Sequence, residues 1–314
     1  MLQPASGSSS ETTDGLQLAH LSDPHLTSLN GITWSELTNK RFFGYLSWLV
    51  VRKRQHKPGI LNALLNDLQA LRPDHIAITG DLTHIGTGNE FREVSRWLSG
   101  LGPPEKVTII PGNHDHYVHT NWREKLFHWL PYLGDGVHHG CGFPLLRYRG
   151  DIAMIGLSSA APSLPFMATG RIGRVQLQQL DSLLAELGKR KIFRIILLHH
   201  GPIPGSDSYR RRLVDGDDLI SILKHRGAEL VLHGHRHRNT ETFIRTGDVN
   251  IPVFGVASAS MKSGKDHSMA TYNLFRIFRS EGGVTIRQTS RSYNYNTGTF
   301  ITGASKTISY PYLN

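Results

Sequence analysis

Five short clusters of histidine, carboxylate and amide residues stand out in the sequence, and each follows directly after an apolar, strand-like run. In chain order they are Asp23-Pro24-His25, Gly80-Asp81, Gly112-Asn113-His114-Asp115, His199-His200 and His233-Gly234-His235-Arg236-His237. Imidazole nitrogens with carboxylate and amide oxygens form a ligand set that manganese, iron or zinc accepts. Two such ions about 3.5–4 Å apart can share a carboxylate and activate water for attack at phosphorus. The clusters therefore indicate a metal centre whose natural chemistry is phosphate-ester hydrolysis.

Taken one at a time, most of these clusters are weak signals. A Gly-Asp pair is a common turn, an Asp before a helix is often its N-cap, and a strand-end histidine is usually structural. The Gly-Asn-His-Asp cluster is more specific, because a turn requires glycine and asparagine but not the His-Asp that follows. The order and placement of all five clusters together favours one shared site.

The elements that position these clusters follow from the hydrophobic pattern. Apolar β-rich runs alternate with helical periodicity, and after Ile251 only strand-like runs remain. Helices are predicted at residues 60–71, 90–98, 122–130, 175–187 and 217–224, and strands at 16–21, 75–79, 107–110, 152–157, 192–198, 230–232, 253–256, 272–278 and 284–288. This order predicts an α/β fold of layered, mixed sheets. Since ligands bind at the carboxyl ends of strands in such sheets, the clusters should converge there.

Composition and charge narrow the classes of protein and partner. One cysteine in 314 residues excludes an intramolecular disulfide and a thiolate zinc or iron–sulfur site. The 35 Lys and Arg against 25 Asp and Glu give a formal net charge of +10, which favours anionic partners. No RNA-binding signature accompanies this charge, so nucleic acid is not the expected partner. No secretory signal or span of about 20 apolar residues is visible, and a cytoplasmic protein is expected.

The segment 27–58, here called the cap segment, interrupts the alternation of strands and helices. It is far longer than the two to six residues usual between a strand and a helix. Its part 40–57 holds six Lys or Arg and no acid, with aromatic and aliphatic residues between them. Three interpretations are open: packing on the body or on a second subunit of a homodimer, peripheral contact with lipid head groups at the inner face of a membrane, or a lid over a soluble substrate.

The domain organisation predicted from these patterns is simple. Residues 1–15 are Ser- and Thr-rich and read as a flexible tail. Residues 16–291 form a single domain that contains the cap segment, and residues 292–314 are a C-terminal extension.

The series Asp-x-His, Gly-Asp, Gly-Asn-His-Asp, His and Gly-His-x-His, from Asp23 to His237, resembles the calcineurin-like metallophosphoesterase superfamily. Within it, the arrangement is similar to the bacterial class III cyclic-nucleotide phosphodiesterase branch. The resemblance implies a four-layer α/β/β/α sandwich with mixed sheets and a centre of two divalent or trivalent metal ions, manganese, iron or zinc. By motif position, it implies that one metal is held by Asp23, His25, Asp81 and His237, and the other by Asp81, Asn113, His199 and His235.

The resemblance also assigns roles to residues that do not bind metal. His114 would stabilise or protonate the leaving oxygen, and Asp115 would orient His114. The order His-His-Gly-Pro leaves open whether His200 lines the phosphate site, and His233 is expected to be structural.

The function implied is a phosphodiesterase in which a metal-bridging hydroxide attacks phosphorus. Arg210 and Arg211 are candidates for gripping a substrate phosphate, against the alternative of a solvated run of charges. Two other functions stay open: a hydrolase of lipid or membrane-surface phosphoesters that uses residues 40–57, and a non-catalytic metal-binding scaffold. The intact ligand set together with His114 argues against the scaffold.

Overall fold

The computed structural model describes residues 15–26, 29, 31–52, 55–119, 122–135, 142–247, 249–262, 269–280 and 283–310. The predicted tail, apart from Gly15, lies outside these residues, as do Lys53 and Arg54 of the cap segment and the last four residues of the chain. In this part of the chain, twelve strands form two sheets.

Strands and helices alternate through the first two thirds of the chain. The strands are β1 (Leu16–Leu21), β2 (His75–Thr79), β3 (Val107–Ile110), β4 (Leu145–Arg149), β5 (Ile152–Gly156), β6 (Phe193–Leu197), β7 (Leu230–His233), β8 (Thr240–Ile244), β9 (Ile251–Gly255), β10 (Thr271–Ser280), β11 (Gly283–Asn294) and β12 (Thr299–Tyr310). The helices are α1 (Arg41–Ser47), α2 (Pro58–Leu71), α3 (Gly88–Leu101), α4 (Trp122–Leu126), α5 (Leu130–Leu133), α6 (Arg174–Lys189) and α7 (Gly216–Arg226).

The strands form two mixed sheets. The first has the order β12-β11-β10-β1-β2-β3, in which β1, β2 and β3 are parallel and the others antiparallel. The second has the order β4-β5-β6-β7-β9-β8, in which the four central strands are parallel and the edge strands β4 and β8 antiparallel.

The two sheets pack face to face between two layers of helices. Leu18 and Ile110 of the first sheet share one buried cluster with Ile195 and Leu232 of the second. The outer face of the first sheet packs on α2 and α3, and that of the second on α6 and α7. Strands buried on both faces carry unbroken apolar runs, which explains the runs in the sequence. The predicted four-layer α/β/β/α sandwich is confirmed.

Several element boundaries differ from the sequence predictions. The helix expected at residues 122–130 is interrupted by a 3-10 turn, Phe127–Trp129, before Pro131 opens α5. The edge strand β12 was missed because its side chains are largely exposed and carry no alternating apolar signal. The boundary predicted at residue 291 falls inside β11. β12 pairs with β11 along its whole length, from Thr299 opposite Asn294 to Tyr310 opposite Val284. The described part of the predicted C-terminal extension is therefore a part of the first sheet.

The cap segment is helical and packs on the loop that follows β2. A 3-10 turn (Trp34–Leu37), α1 and a π-helical turn (Trp48–Arg52) succeed one another. The buried Arg41 guanidinium donates hydrogen bonds to the carbonyl oxygens of Ile85 (2.9 Å) and Gly86 (2.8 Å). Leu37 and Trp48 pack with Ile85 in a small separate core. Packing on the body, one of the three interpretations of this segment, is thus observed.

Across the described residues, the helices are too short or too polar to cross a membrane.

Candidate metal centre

The five clusters meet at one edge of the sandwich, beyond the carboxyl ends of β1, β2, β3, β6 and β7. Backbone hydrogen bonds join these ends within the first sheet, where the amide of Asp23 donates to the carbonyl of Gly80 at 3.0 Å. A side chain joins the two sheets, because Nδ1 of His199 donates to the carbonyl of Thr79 at 2.7 Å. The convergence expected from strand ends is therefore realised, and both sheets contribute.

The backbone at the expected metal ligands is unusual. Left-handed φ values are rare outside glycine and cost roughly 1–3 kcal/mol each, and such strain tends to collect at functional sites. Among the described residues, five of the eight non-glycine residues with positive φ are expected ligands: Asp23 (52°), His25 (43°), Asp81 (54°), His235 (69°) and His237 (53°). The strain concentrates where the side chains must turn inward.

One group of ligand atoms is formed by Asp23, His25 and His237. Nε2 of His237 lies 3.1 Å from Oδ1 of Asp23 and 3.4 Å from Nε2 of His25. Nδ1 of His25 donates to the carbonyl of Thr83 at 3.0 Å, which directs the Nε2 lone pair into the site. Burial, followed by the neighbouring histidines, lowers the pKa of His25 well below its ordinary value. A neutral imidazole is the form that binds a metal ion.

The second group contains His199, Asn113 and His235. Nε2 of His199 lies 3.1 Å from Oδ1 of Asn113, while the backbone amide of His235 donates to Oδ2 of Asp23 at 3.0 Å. Nε2 of His235 is buried and has no hydrogen-bond partner among the described residues. A buried polar atom without a partner is costly, and a metal ion bound here would satisfy it. The donor set and this orphaned nitrogen both fit a metal at this position.

Asp81 lies between the two groups. Its Oδ2 is 3.9 Å from Nε2 of His25 and 3.3 Å from Nε2 of His199, and its Oδ1 accepts from the amide of His114 at 2.8 Å. Burial alone would raise the pKa of Asp81, but His199 and His114 hold it well below its usual range. Against the effect of burial, Asp81 raises the pKa of His199 to about 9. The Asp81 carboxylate thus favours a positive charge on His199. A metal ion bound here would supply that charge instead, and His199 would release its proton.

The glycines of the clusters are required by close contact with these ligands. A Cβ on Gly112 would lie 2.2 Å from Oδ1 of Asp81, and one on Gly234 would lie 2.6 Å from Oδ2 of Asp23. No side chain fits at either distance. The glycines therefore let neighbouring strand ends approach until the carboxylates reach the centre.

His114 lies beside Asp81, but its orientation has a different cause from the one expected. Its Nε2 is 4.0 Å from Oδ2 of Asp81, and its Nδ1 donates to the carbonyl of His84 at 2.5 Å. The carboxylate of Asp115 instead accepts from the amides of Thr83 and Gly112, each at 2.8 Å. The predicted role of Asp115 is therefore corrected: the His84 carbonyl orients the ring, and Asp115 fixes the loops that carry Asp81 and His114.

His200 and His233 are both buried beside the centre. Nε2 of His200 donates to the carbonyl of Ala168 (3.1 Å), and its Nδ1 accepts from Oγ of Ser159 (2.8 Å). Its ring packs on that of His235 at 4.3 Å between centroids, and one ligand atom from each of His199, His200 and His235 lies within 4.8 Å of the others. The expected contact of His200 with substrate stays a prediction. His233 is buried and donates to the carbonyl of Gly234, consistent with a structural role.

Two histidines near the centre were missed by sequence reasoning. His56, at the end of the cap segment, has its ring centroid 4.6 Å from that of His25, and the ring of His84 stacks on His25 at 4.8 Å. His84 is three residues beyond Asp81, so its position in the sequence could have predicted that it lies near the centre. His56 follows no strand, and only the three-dimensional path of the cap segment brings it here.

A cavity of about 530 Å³ opens beside the centre and is formed partly by the cap segment. Its lining includes Lys40, Phe43, Gly44, Ser47, Asn113, His114, Tyr117, Pro165, Phe166, Met167, Ala168, Ser208, Arg210 and Arg211. The Lys40 ammonium donates to the carbonyl and hydroxyl of Ser163, both at 3.0 Å, and burial lowers its pKa to about 8. Arg210 and Arg211 thus reach the same cavity as Asn113 and His114, and α1 forms its wall.

A sequence model of the calcineurin-like phosphoesterases matches residues 16–239. The chain is 28% identical over 56% of its length to a probable cyclic nucleotide phosphodiesterase of a Synechococcus species, and spans 62% of that protein, less than two thirds. It is 25% identical to a glycerophosphodiester phosphodiesterase of Enterobacter lignolyticus over 74% of each chain. A dimetal phosphatase from Danio rerio has a similar fold, with a TM-score of 0.54 at 12% identity over 95% of this chain and 99% of that one.

Proposed function

Since the chain belongs to the calcineurin-like phosphoesterase family, we propose that it is a dinuclear metal-dependent phosphodiesterase. The position of Asp81 carries this proposal, because one carboxylate lies within 4 Å of imidazole nitrogens from both ligand groups. The names of its relatives, which include cyclic nucleotide and glycerophosphodiester phosphodiesterases, support the same reaction class.

The ligand residues hold two metal ions in this proposal. Asp23, His25 and His237 hold one, Asn113, His199 and His235 hold the other, and Asp81 lies between them. When bound, the metal pair supplies charge that stabilises the phosphoryl oxygens and lowers the pKa of a water molecule. Which metals occupy the centre stays a prediction, and manganese, iron and zinc all accept this ligand set.

His114 is the proposed general acid for the leaving oxygen. Because its Nδ1 proton is held by the His84 carbonyl, its Nε2 carries a proton only in the imidazolium form. Nε2 lies 4.0 Å from Oδ2 of Asp81, which places it at the metal centre. Proton transfer from Nε2 to the departing alkoxide then leaves a neutral ring in an unchanged orientation.

The cavity beside His114 is the proposed substrate site. Its volume of about 530 Å³ is in the usual range of small-molecule pockets, roughly 300–1,000 Å³. The guanidinium groups of Arg210 and Arg211 suit a phosphate or another anionic group, and the rings of Phe43, Phe166 and Tyr117 suit an apolar or planar substituent. A cyclic nucleotide or a small glycerophosphodiester meets these requirements, with the cap segment as a lid.

A second candidate is a lipid phosphoester, and it is favoured by exposed apolar side chains of the cap segment and of the cavity. Phe43 and Phe166 line the cavity, and their side chains are exposed by 47% and 77%. Four further apolar side chains of the cap segment are exposed by 40% to 70%: Phe42, Leu46, Leu49 and Val50. Apolar residues beside a basic lysine are typical of surfaces that meet lipid head groups. Peripheral membrane contact belongs to this second candidate and stays a prediction, as do a cytoplasmic location and a homodimer.

A substrate panel tests the proposal. Metal-free protein loaded with manganese is assayed on a 3′,5′-cyclic nucleotide, a glycerophosphodiester and a phospholipid in vesicles. We expect hydrolysis of one of the first two substrates and its loss in Asp81→Asn, but not in Asp217→Asn, the same change on the exposed first turn of α7. Hydrolysis of the vesicle substrate alone would favour the second candidate. Absence of hydrolysis with both metals bound would favour a metal-binding scaffold.

A further inference from the structure

His56 occupies a place at the centre that none of the five clusters accounts for. One ligand atom from each of His25, His56 and His237 lies within 4.8 Å of the others. We propose that the cap segment supplies His56 as an additional ligand to the metal ion held by His25 and His237. This inference extends the metal centre on which the proposed function rests.

The spacing is close to that of a bound ion. Two imidazole nitrogens at about 2.0–2.1 Å from one metal can be at most about 4 Å apart. Only ligands on opposite sides of an ion reach that limit, and the others lie about 3–3.6 Å apart. Nε2 of His25 and Nε2 of His237 are already 3.4 Å apart, so sharing their ion requires His56 to move closer by roughly 1–2 Å. The same 4.8 Å spacing unites Asp23, His25 and Asp81, so His25 belongs to both groups.

The orientation of the ring also fits a ligand. Nδ1 of His56 lies 2.6 Å from Oγ of Ser260, an arrangement that leaves Nε2 as the coordinating atom when Nδ1 carries the proton. The His56 ring meets those of His25 and His237 edge to face, at interplanar angles of 61° and 87°. By contrast, His84 stacks on His25 at 12°, face to face, which is a packing contact.

Backbone contacts fix the position of His56 beside the segment that also contacts Asp23. His56 forms a bridge with Met261, and the amide of Lys57 donates to the carbonyl of Ser260 at 3.1 Å. In the same short segment, Oγ of Ser258 donates to the carbonyl of Asp23 at 2.7 Å. One turn of chain thus positions both Asp23 and His56, although they come from different parts of the sequence.

A ligand from the cap segment would couple metal binding to the lid. The metal ion would fasten the C-terminal end of the cap segment, nine residues beyond α1, whose residues line the cavity. Backbone amides of α1 should then exchange more slowly with solvent when metal is bound.

The test compares His56→Gln with His84→Gln, which removes a second imidazole beside His25, one whose ring stacks face to face on it. Metal-free proteins are titrated with Mn²⁺ in the presence of a competing chelator. The nitrogen ligands of one bound equivalent are counted by pulsed electron paramagnetic resonance. His56→Gln should weaken one of the two metal-binding steps at least tenfold, and His237→Ala should weaken the same step. The Mn²⁺ spectrum of His56→Gln should also lose one nitrogen coupling. His84→Gln should stay within threefold of the unchanged protein.

Equal affinities and equal nitrogen counts in His56→Gln and the unchanged protein would overturn the inference. Should His56→Gln not fold, Ser260→Ala decides in its place, with an expected loss of 10- to 100-fold in the same step. The outcome is separable from the proposed function. A protein that binds metal through His56 but hydrolyses no phosphodiester overturns only the function, while one that hydrolyses with unchanged metal affinity in His56→Gln overturns only the role of His56.

Discussion

Replacing Gly112 by alanine should disable the centre through a single methyl group. The added Cβ would lie 2.2 Å from Oδ1 of Asp81 and 2.4 Å from its backbone nitrogen. Ordinary van der Waals contact begins near 3.4 Å, so Asp81 must retreat by about 1.2 Å. The φ of Gly112 is not positive, so alanine adopts this backbone freely and the effect comes from the contact alone.

The size of the effect follows from this displacement. A misplacement of about 1 Å in a catalytic group can reduce the rate about 100-fold, equivalent to about 2.7 kcal/mol of barrier. Overpacking a tight site costs about 1–3 kcal/mol of folding free energy, which a domain of ordinary stability tolerates. We therefore expect a folded Gly112→Ala protein with at least 100-fold lower kcat and reduced metal content.

The assay measures hydrolysis of bis(4-nitrophenyl) phosphate with saturating Mn²⁺, alongside metal content by mass spectrometry and unfolding by urea. Gly100→Ala is the matched control, because a Cβ there meets nothing within 4 Å and the residue lies in α3. This control should keep its kcat and gain up to about 1 kcal/mol of stability. If Gly112→Ala keeps both metals and a kcat within threefold of the unchanged protein, the contact does not position Asp81 as argued.

Three further outcomes are expected. His114→Ala should lower kcat by about 100-fold or more and keep both metals, since its ring is a proton donor; equal loss of metal would contradict that role. Arg210→Ala and Arg211→Ala should raise KM for a phosphodiester and leave kcat nearly unchanged, and an unchanged KM in both would remove them from the substrate site. Burial, with neighbouring arginines, lowers the pKa of His75 to about 2, so the unfolded chain binds a proton there that the native protein does not. The contribution of His75 to the free energy of unfolding should therefore fall by up to about 1.4 kcal/mol per pH unit as pH drops below 6.5, so His75→Gln should show a shallower total slope; equal slopes in urea unfolding would refute this.

The placement of the centre could be predicted from the sequence because it depends on a local rule. Buried strands read as unbroken apolar runs, and β2 and β3 have the predicted limits. Polar residues just beyond such runs must lie at one edge of a sheet when the strands are parallel. The convergence of Asp81 and Asn113 therefore needed only the strand pattern, whereas the approach of His199 to Asp81 also depends on how the two sheets pack.

What the sequence could not reveal depends on long-range geometry. His56 reaches the centre through contacts with Ser260, 204 positions away, and no local pattern encodes that pairing. The ring of His114 is oriented by the backbone carbonyl of His84, and a backbone contact has no sequence signature. The orienting role was therefore predicted for the adjacent Asp115. The cap segment had three open interpretations because its amphipathic composition suits each of them, and its buried Arg41 shows that it packs on the body.

We propose that this chain hydrolyses phosphodiesters only when two metal ions are bound, and that Asp81 would contribute to holding both. The most direct test titrates metal-free protein with Mn²⁺ while hydrolysis of bis(4-nitrophenyl) phosphate and bound metal are followed together. We expect hydrolysis to appear only as the second equivalent binds and to reach its maximum at two ions per chain. Full activity at one ion per chain, or no hydrolysis with two ions bound, would contradict the claim.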